Sequence, residues 1–504
     1  MSLAIVKARA LVGVSAPLVH VEVHLSGGLP ALSIVGLPEA GVRESRERVR
    51  SALLNSGFEF PQRRITINLA PADLPKEGGR YDLAIAIGIL AASGQIPDDH
   101  IDQMEFLGEL ALSGEVRPVN GVLPAAMAAH QAKAQLVVSP DNLNEAMMVS
   151  GIEALAPPTL LAMTGFFRKQ VKLPLHTGDG GAQQPEQDHP DLADVKGQSK
   201  AKRALEVAAA GGHNLLLIGP PGSGKSMMAR RLAGLLPPMD DALQLEVAAL
   251  HSIVSNSGIC ARLPRPFRSP HHTTSAVALV GGGSHPRPGE ISLAHGGILF
   301  LDELPEFSRQ VLEVMREPLE TGEVHISRAA RSACFGAGFQ LVAAMNPCPC
   351  GYANDGSGRC RCTPDRIRQY QSKISGPLLD RIDMQLWVDA VKLDELLSVH
   401  APEEPSADVR TRVTEAQERQ WQRQQSSNSR LTGQGFDAAC VLTEEVKRLI
   451  LKAADRHGLS ARATHRVLKV ARTVADLAGA ETIEVSHLLE ALSYRQGLSN
   501  GGKA

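Results

Sequence analysis

The stretch that decides the fold is Leu215-Leu216-Leu217-Ile218-Gly219-Pro220-Pro221-Gly222-Ser223-Gly224-Lys225-Ser226. Its four apolar residues predict a buried strand, and Met227–Leu232, after the glycine-rich turn, has a helical pattern. Backbone N–H groups of such a turn close around phosphate oxygens, and the N-terminus of the next helix adds positive potential. The turn therefore predicts a nucleotide site, in which Lys225 reaches the β- and γ-phosphates and Ser226 is a ligand of Mg²⁺.

Two acidic residues follow a second apolar strand. Ile298–Leu301 is a run of four apolar residues, and Asp302 and Glu303 come directly after it. Ligands of open α/β sheets bind at the carboxyl ends of the strands, so we expect both acids close to the phosphate loop. Asp302 is predicted to hold the Mg²⁺ shell and Glu303 to orient the attacking water, since phosphoryl transfer depends mostly on positioning. The predicted cofactors of this α/β ATPase are ATP and Mg²⁺.

The whole chain has the composition of a globular protein. Its 504 residues suggest roughly three domains of about 150 residues each, and 43% of them are hydrophobic. A net charge of −2 excludes a surface that coats DNA by charge alone, so contacts with nucleic acid must come from local basic patches or a ring-lined channel. The cysteines do not form the pattern of a disulfide framework, and no run of about 18 apolar residues occurs. We therefore expect a cytoplasmic protein without a membrane partner.

The segment around these motifs resembles the AAA+ family of ATPases. A third apolar strand, Gln340–Met345, ends at Asn346, and in that family a polar residue at this place senses the γ-phosphate. The resemblance also places the adenine base near Val195 and Gly197. Because Asn-Pro dipeptides initiate turns, a simple turn residue is the alternative role for Asn346.

Two arginines take their predicted roles from the same resemblance. Arg381 resembles the arginine finger that an adjacent subunit places beside the γ-phosphate, and its alternative is an ion pair with Asp380 or Asp383. Arg462 resembles the arginine of the AAA+ helical lid that contacts nucleotide, and Arg466, one turn later, is the second candidate. An arginine finger that an adjacent subunit supplies implies that the chain assembles into a ring or at least a dimer.

The N-terminal region resembles the Lon-type protease fold. Pro75–Leu83 is similar to the loop that carries the catalytic serine of that fold, and 106–123 is similar to its later strand pair and catalytic-lysine turn. The serine position is occupied by Arg80 and the lysine position by about Leu123, so the nucleophile and its base are both missing. We therefore expect a scaffold or a DNA-facing collar. Four arginines of one predicted helix either contact phosphates or form a solvated face: Arg43, Arg46, Arg48 and Arg50.

Two insertions distinguish the ATPase region from a minimal one. Residues 265–295 are turn-rich and locally basic, and residues 323–342 have the pattern of a hairpin before the third strand. Both are typical of the AAA+ branch that includes magnesium chelatase and the replicative minichromosome-maintenance helicases, in which such hairpins line a central pore. Arg268, Arg328 and Arg331 are the candidate DNA contacts, with packing between subunits as their alternative role.

A cluster of cysteines follows Asn346. It consists of Cys348, Cys350, Cys360 and Cys362. Four thiolates on two tight turns satisfy tetrahedral Zn²⁺, although the spacing departs from the commoner Cys-x₂-Cys knuckle. A structural zinc ion is predicted here, with reduced, metal-free thiols as the alternative.

Nearly the whole chain resembles one family, the magnesium-chelatase-like AAA+ proteins of the ComM/YifB type. The resemblance implies an N-terminal Lon-protease-like (ribosomal S5 domain 2-like) α/β domain, an AAA+ P-loop α/β domain with helix-2 and pre-sensor hairpin insertions, and a C-terminal helical lid. It also implies a homohexameric, ATP-dependent helicase that drives branch migration of single-stranded or branched DNA in homologous recombination and natural transformation. A magnesium-chelatase subunit and a chaperone-like remodelling ATPase are the alternatives.

These assignments also predict the boundaries of the structural units. They are the N-terminal domain at 1–171, a linker at 172–192, the ATPase core at 193–390, a helical connector at 391–432, the lid at 433–498 and a disordered tail at 499–504.

Overall fold

The computed structural model describes residues 3–180, 189–254, 263–283, 286–328, 331–390 and 403–495. The strands of these residues, in chain order, are β1 Leu3–Arg9, β2 Leu18–Ser26, β3 Ala31–Val35, β4 Arg64–Ala70, β5 Met104–Phe106, β6 Glu109–Leu110, β7 Val116–Arg117, β8 Gln135–Val137, β9 Glu153–Leu155, β10 His176–Thr177, β11 Leu215–Ile218, β12 Phe267–Arg268, β13 Gly281–Gly282, β14 Arg287–Pro288, β15 Ile298–Leu301, β16 Glu323–Arg328, β17 Arg331–Gly336, β18 Gln340–Met345 and β19 Met384–Trp387.

The helices of the described residues are α1 Ala40–Asn55, α2 Asp82–Ala92, α3 Val122–Gln131, α4 Pro140–Met147, α5 Leu160–Phe167, α6 Ser199–Gly211, α7 Lys225–Leu235, α8 Asp241–Val254, α9 Ala276–Val280, α10 Glu290–Leu293, α11 Arg309–Val314, α12 Arg316–Thr321, α13 Pro364–Gln371, α14 Gly376–Leu379, α15 Ser406–Gln424, α16 Gly433–Ala439, α17 Glu444–His457, α18 Ala461–Leu477 and α19 Val485–Ser493.

The N-terminal region contains an eight-stranded mixed sheet in the order β10-β9-β8-β5-β1-β2-β4-β3. The alternating sequence of β2 turns Val19, Val21 and Val23 to one face, and all three are fully buried. Helix α2, every residue of which is buried, packs against β1 and β2. A Cβ atom at Gly88 would lie 2.6 Å from Cγ2 of Val23, so glycine permits this close approach of helix and sheet.

The ATPase region contains a five-stranded sheet in the order β12-β15-β18-β11-β19, and all its strands are parallel. Leu215 and Leu217 of β11 belong to one hydrophobic cluster, whereas Leu216 and Ile218 belong to another. Both faces of the sheet are therefore covered, which explains the unbroken apolar runs of its central strands. The phosphate loop follows β11, the two acids follow β15 and Asn346 follows β18, so the carboxyl ends of three strands meet at one edge.

The helices after this sheet close its core. The segment predicted as a connector contains α15, which packs against α6, α7 and α18. Its Val409, Val413 and Ala416 are buried in the same cluster as one face of the parallel sheet. This segment is thus an integral part of the ATPase core in its described portion, because its apolar stripe faces inward. Helices α16 to α19 follow it, in the segment predicted as the lid.

The N-terminal region contacts the ATPase region through α3 and α8. The N–H of Gly121 donates to the carbonyl of Ser252 over 3.1 Å, and the Ser252 hydroxyl donates to the buried carboxylate of Glu145. Ala248 and Ala249 share a hydrophobic cluster with α3. A second contact involves the hairpin β16–β17, since a Cβ atom at Gly13 would lie 3.4 Å from Cβ of Ala333.

The predicted linker begins within the N-terminal sheet. His176 and Thr177 form β10, which pairs antiparallel with β9. Residues 181–188 of the linker and the predicted tail at 499–504 lie outside the described residues. Among the helices that are described, none combines the length and the apolar character needed to cross a membrane.

Candidate ATP site and cysteine cluster

Glycines shape the phosphate loop. Gly222 and Gly224 have φ angles of +77° and +86°, a left-handed conformation that strains residues with a Cβ atom. A Cβ atom at Gly219 would lie 2.2 Å from the carbonyl oxygen of Val388. Helix α7 begins directly after this loop, so the unpaired N–H groups of its first turn are available for an anion.

Lys225 is held against the loop. Its ammonium donates to the carbonyl oxygens of Gly219 and Pro220, each over 2.8 Å, and Oδ1 of Asn346 lies 3.3 Å away. Burial lowers the pKa of Lys225, and the carboxylate of Asp302 acts in the opposite direction. A phosphate that reaches this ammonium would form a charge-assisted hydrogen bond in a place with little competing water.

Ser226 and Asp302 meet at the end of β15. The Ser226 hydroxyl donates to Oδ2 of Asp302 over 2.6 Å, and the N–H of Glu303 donates to Oδ1 over 2.9 Å. A hydroxyl and a carboxylate are oxygen donors of the kind that Mg²⁺ prefers, and few protein ligands suffice because the ion keeps waters and substrate phosphates. The two side chains therefore fit the predicted role of Mg²⁺ ligands.

Glu303 occupies an unusual backbone conformation. Its φ and ψ are 52° and 46°, a left-handed geometry that is uncommon in a residue with a side chain. Its carboxylate lies 3.3 Å from Nδ1 of His272, which comes from the 265–295 insertion. His272 is not among the residues that the sequence predicted for the site. The adjacent pair His271-His272, whose rings lie 4.1 Å apart, is the sequence feature that could have indicated it. The insertion thus contacts the acid that is predicted to orient the attacking water.

The structure brings five of the predicted residues into one cleft. The cleft has a volume of about 440 Å³ and is lined by Lys225, Ser226, Asp302, Glu303 and Asn346 together with the phosphate loop. Its position at the carboxyl edge of the parallel sheet is the usual place for a ligand in an open α/β fold.

Arg381 lies at the opposite edge of the sheet. It precedes β19, and its guanidinium donates to the carbonyls of Pro377 over 2.7 Å and Arg316 over 3.1 Å. It also forms an ion pair with Glu320 over 2.6 Å. The acid that pairs with it is therefore not Asp380 or Asp383, as the alternative reading predicted, because α12 brings Glu320 to the guanidinium.

The two candidate lid arginines differ in their surroundings. Arg466 forms an ion pair with Asp383 over 2.6 Å, and Asp383 also accepts from the N–H of Asn214, which precedes β11. Arg466 is thus bound to the amino edge of the sheet, whereas Arg462, one turn earlier in α18, is exposed. The proposed neighbour of adenine, Gly197, donates its N–H to Glu403 over 2.9 Å. Val195, the second residue predicted to lie near the adenine, is buried.

The candidate DNA contacts fall into two groups. Arg268 donates two hydrogen bonds to Glu290, over 2.6 and 2.7 Å, so its charge is already paired within the chain. Arg328 and Arg331 are paired residues at the end of the hairpin formed by β16 and β17. Among the N-terminal arginines, Arg48 is neither solvated nor free for phosphate, because it forms an ion pair with the fully buried Asp82 over 2.7 Å. Arg43, Arg46 and Arg50 are exposed.

The Lon-like loop surrounds a cavity without the catalytic pair. Arg80 is buried and donates to the carbonyl of Asn120 over 2.8 Å, and its burial lowers the pKa of the guanidinium. Leu123 is also buried, and its N–H donates to Glu145 over 3.0 Å. The loop, the turn at 118–120 and the hairpin residues Ser332 and Ala333 enclose about 660 Å³.

The four cysteines of the cluster meet in space. The Sγ atom of Cys348 lies 3.3 Å from that of Cys350 and 3.8 Å from that of Cys360. All four ligand atoms lie within 4.8 Å of one another, and all four cysteines are free thiols. These separations exceed the S–S bond of about 2.05 Å. Their range includes the edge length of about 3.8 Å of a tetrahedron with Zn–S distances of about 2.3 Å.

Comparison with known proteins agrees with this architecture. Three family descriptions match: magnesium chelatase, subunit ChlI, at 191–396; subunit ChlI of Mg-chelatase at 21–142; and its C-terminal part at 403–495. The chain is 50% identical to competence protein ComM of Haemophilus influenzae, over 98% of each chain. It is 49% identical to the protein YifB of Salmonella typhimurium, over 98% of this chain and 97% of that one. Lon protease 2 of Bacillus subtilis is 35% identical over 117 residues, 23% of this chain and 21% of that one.

The parallel sheet, the phosphate loop and these matches define a P-loop ATPase of the AAA+ class with a mixed α/β fold. Within that class the chain belongs to the magnesium-chelatase-like proteins of the ComM/YifB type, because the similarity extends over its whole length. The resemblance that the sequence motifs indicated is thereby confirmed.

Proposed function

We propose that the protein is a DNA motor that uses ATP to drive branch migration in homologous recombination and natural transformation. The observation that carries the proposal is the full-length similarity to a protein named for competence, in a chain whose cleft brings together the phosphate loop, the two acids after β15 and Asn346. The hairpin β16–β17 supplies two arginines at its end for single-stranded or branched DNA. No described contact favours a magnesium-chelatase subunit or a chaperone-like remodeller over this motor.

The residues of the cleft would share the work of hydrolysis. Ser226 and Asp302 would hold Mg²⁺, which would neutralise the charge on the phosphate oxygens. Lys225 binds the β- and γ-phosphates, Asn346 contacts the γ-phosphate, and Glu303 orients the attacking water. Arg381 of a neighbouring subunit would complete the site in a homohexameric ring, where an arginine finger contributes about 10³–10⁵ to the rate. In the same proposal Arg462 contacts nucleotide from the lid, and Zn²⁺ occupies the cysteine cluster.

The decisive measurement is ATP hydrolysis with no DNA, linear single strands, duplex and a four-way junction, all at one fixed salt concentration. We expect the junction or the single strand to raise hydrolysis several-fold over the DNA-free rate. If the protein hydrolyses ATP at the same substantial rate with every DNA and without DNA, the proposed DNA motor is contradicted. Such a result would favour an ATPase that acts on a protein partner.

The matched variant for this measurement is Glu303→Gln. It should bind ATP as the wild type does, because the amide is isosteric, yet fail to migrate a strand in a fluorescent junction assay. Full migration by this variant would remove Glu303 from the role of orienting the water.

A further inference from the structure

The cysteine cluster is adjacent in sequence to the ATP cleft. Strand β18 ends at Met345, Asn346 lines the cleft, and Cys348 comes two residues later. Oδ1 of Asn346 lies 3.3 Å from the ammonium of Lys225. The first cysteine is therefore separated from a residue of the nucleotide site by a single proline.

The loop of the cluster also touches the phosphate loop. A Cβ atom at Gly351 would lie 2.6 Å from Cδ and 2.7 Å from Cγ of Pro221, and 3.9 Å from Cγ of Asn346. Real Cβ atoms do not approach ring carbons so closely, because packed interiors leave no such space. Gly351 therefore lies directly against the phosphate loop.

Irregular contacts, rather than regular secondary structure, hold the loop in this position. Residues 346–363 contain neither helix nor strand. The N–H of Ala353 donates to Sγ of Cys348 over 3.3 Å, and the side chain of Gln371 donates to the carbonyl of Pro347 over 3.0 Å. The guanidinium of Arg359 lies 4.2 Å from the ring centre of Tyr352. Ordering such a segment costs about 1–2 kcal/mol of backbone entropy for each residue, which a bound metal ion can offset.

We infer that a zinc ion at Cys348, Cys350, Cys360 and Cys362 fixes one wall of the ATP cleft, so that loss of the metal weakens nucleotide binding. The metal would act through Gly351, which presses on Pro221, and through Asn346 at the start of the loop. The inference rests on the proposed zinc site and ATP site, and it adds the coupling between them.

The test uses the full chain and measures zinc per chain together with the Kd of a fluorescent, non-hydrolysable ATP analogue in Mg²⁺. The wild type should contain one zinc ion. Cys360→Ser combined with Cys362→Ser removes the two ligands that are farther from Asn346 along the chain, and this variant should lose the zinc and raise Kd by about tenfold. Cys440→Ser is the control, because Cys440 lies outside the cluster and outside the cleft, and it should change neither quantity.

A pair of glycine variants tests the contact without removing a ligand. Gly351→Ala and Gly358→Ala both place a Cβ atom at positive φ, +87° and +67°, but only the first meets Pro221, since the space around Gly358 is open. We expect both to keep zinc and only Gly351→Ala to raise Kd. Equal Kd values for the two variants, or zinc loss without a change in Kd, would refute the coupling.

A wild type without zinc would overturn the inference at its first step. That outcome is distinguishable from failure of the proposed motor, because DNA-stimulated hydrolysis is measured on the same wild-type preparation. Retained zinc in the double cysteine variant would likewise exclude the four-cysteine site.

Discussion

Asp383 illustrates how a single buried charge connects α18 to the sheet. Its side chain is 3% exposed and lies beside Arg466, His213 and the N–H of Asn214. Burial alone would raise the pKa of Asp383, but His213, Arg466 and the N–H of Asn214 together hold it well below the ordinary value. A carboxyl with a lowered pKa stabilises the folded state above its unfolded pKa of about 3.9, and that contribution is lost as the pH falls.

This predicts that Arg466→Met weakens the attachment of α18 to the sheet. The loss should be about 3 kcal/mol, the lower end for breaking a buried ion pair, because the N–H of Asn214 still reaches Asp383. Hydrogen exchange of the amides in α18 measures the local opening free energy. In the wild type this free energy should fall more steeply below about pH 5 than in the variant.

Arg462→Met is the matched control for this prediction. Arg462 is exposed and lies one turn earlier in the same helix, so its removal should change the opening free energy by about 0.5 kcal/mol at most. If both variants open α18 equally, the pair of Arg466 with Asp383 is not what attaches α18 to the sheet.

At the scale of elements, the hairpin β16–β17 is anchored at its base and charged at its end. Val324, Ile326 and Phe335 are buried, whereas Glu323 and His325, which alternate with Val324 and Ile326, are exposed, as alternation along a strand requires. Arg328 and Arg331 form the last residue pair in the register of the two strands. An element that buries one face and carries cations at its end is suited to contact phosphates without disturbing the core.

We therefore predict that replacing Arg328 and Arg331 with Ala together weakens DNA binding in a salt-dependent way. Each lost phosphate contact should lower the slope of log K against log salt by about one, so the pair should lower it by about two. Fluorescence anisotropy of a labelled single strand across a salt series measures this slope. Arg448→Ala with Arg456→Ala, two exposed arginines of α17, is the control, and an equal effect of both pairs would indicate non-specific charge.

The sequence predicted these elements to different degrees. The phosphate loop, the two acids after β15 and the polar end of β18 are local signals, and parallel strands bring them to one edge whatever the rest of the chain does. The ion-pair partners of Arg381 and Arg48 are set by contacts between residues far apart in the chain. Glu320 and Asp82 are ordinary acids in the sequence, so periodicity alone could not identify them. Periodicity could not indicate the contact of His272 with Glu303 either.

At the scale of the molecule, the parallel sheet separates the two halves of the proposed catalytic machinery. Lys225, Asp302 and Glu303 line the cleft at the carboxyl edge. Arg381 precedes β19, which pairs in parallel with β11 from Leu215 to Ile218. Four paired residues at about 3.3 Å each therefore separate the edge that carries Arg381 from the edge that carries the phosphate loop. A role for Arg381 in hydrolysis thus requires a second copy of the chain.

This separation gives a prediction that mixing two inactive proteins restores activity. Lys225→Ala should lose ATP binding, and Arg381→Ala should bind ATP but hydrolyse it about 10³-fold more slowly. In a mixed ring, Arg381 of a Lys225→Ala subunit meets an intact cleft on an Arg381→Ala subunit, so hydrolysis should reappear and depend on the mixing ratio. Sizing chromatography with ATP verifies that mixed assemblies form. Mixed assemblies that hydrolyse no faster than the parent variants, or an Arg381→Ala protein with wild-type hydrolysis, would exclude Arg381 as the residue supplied by the neighbour.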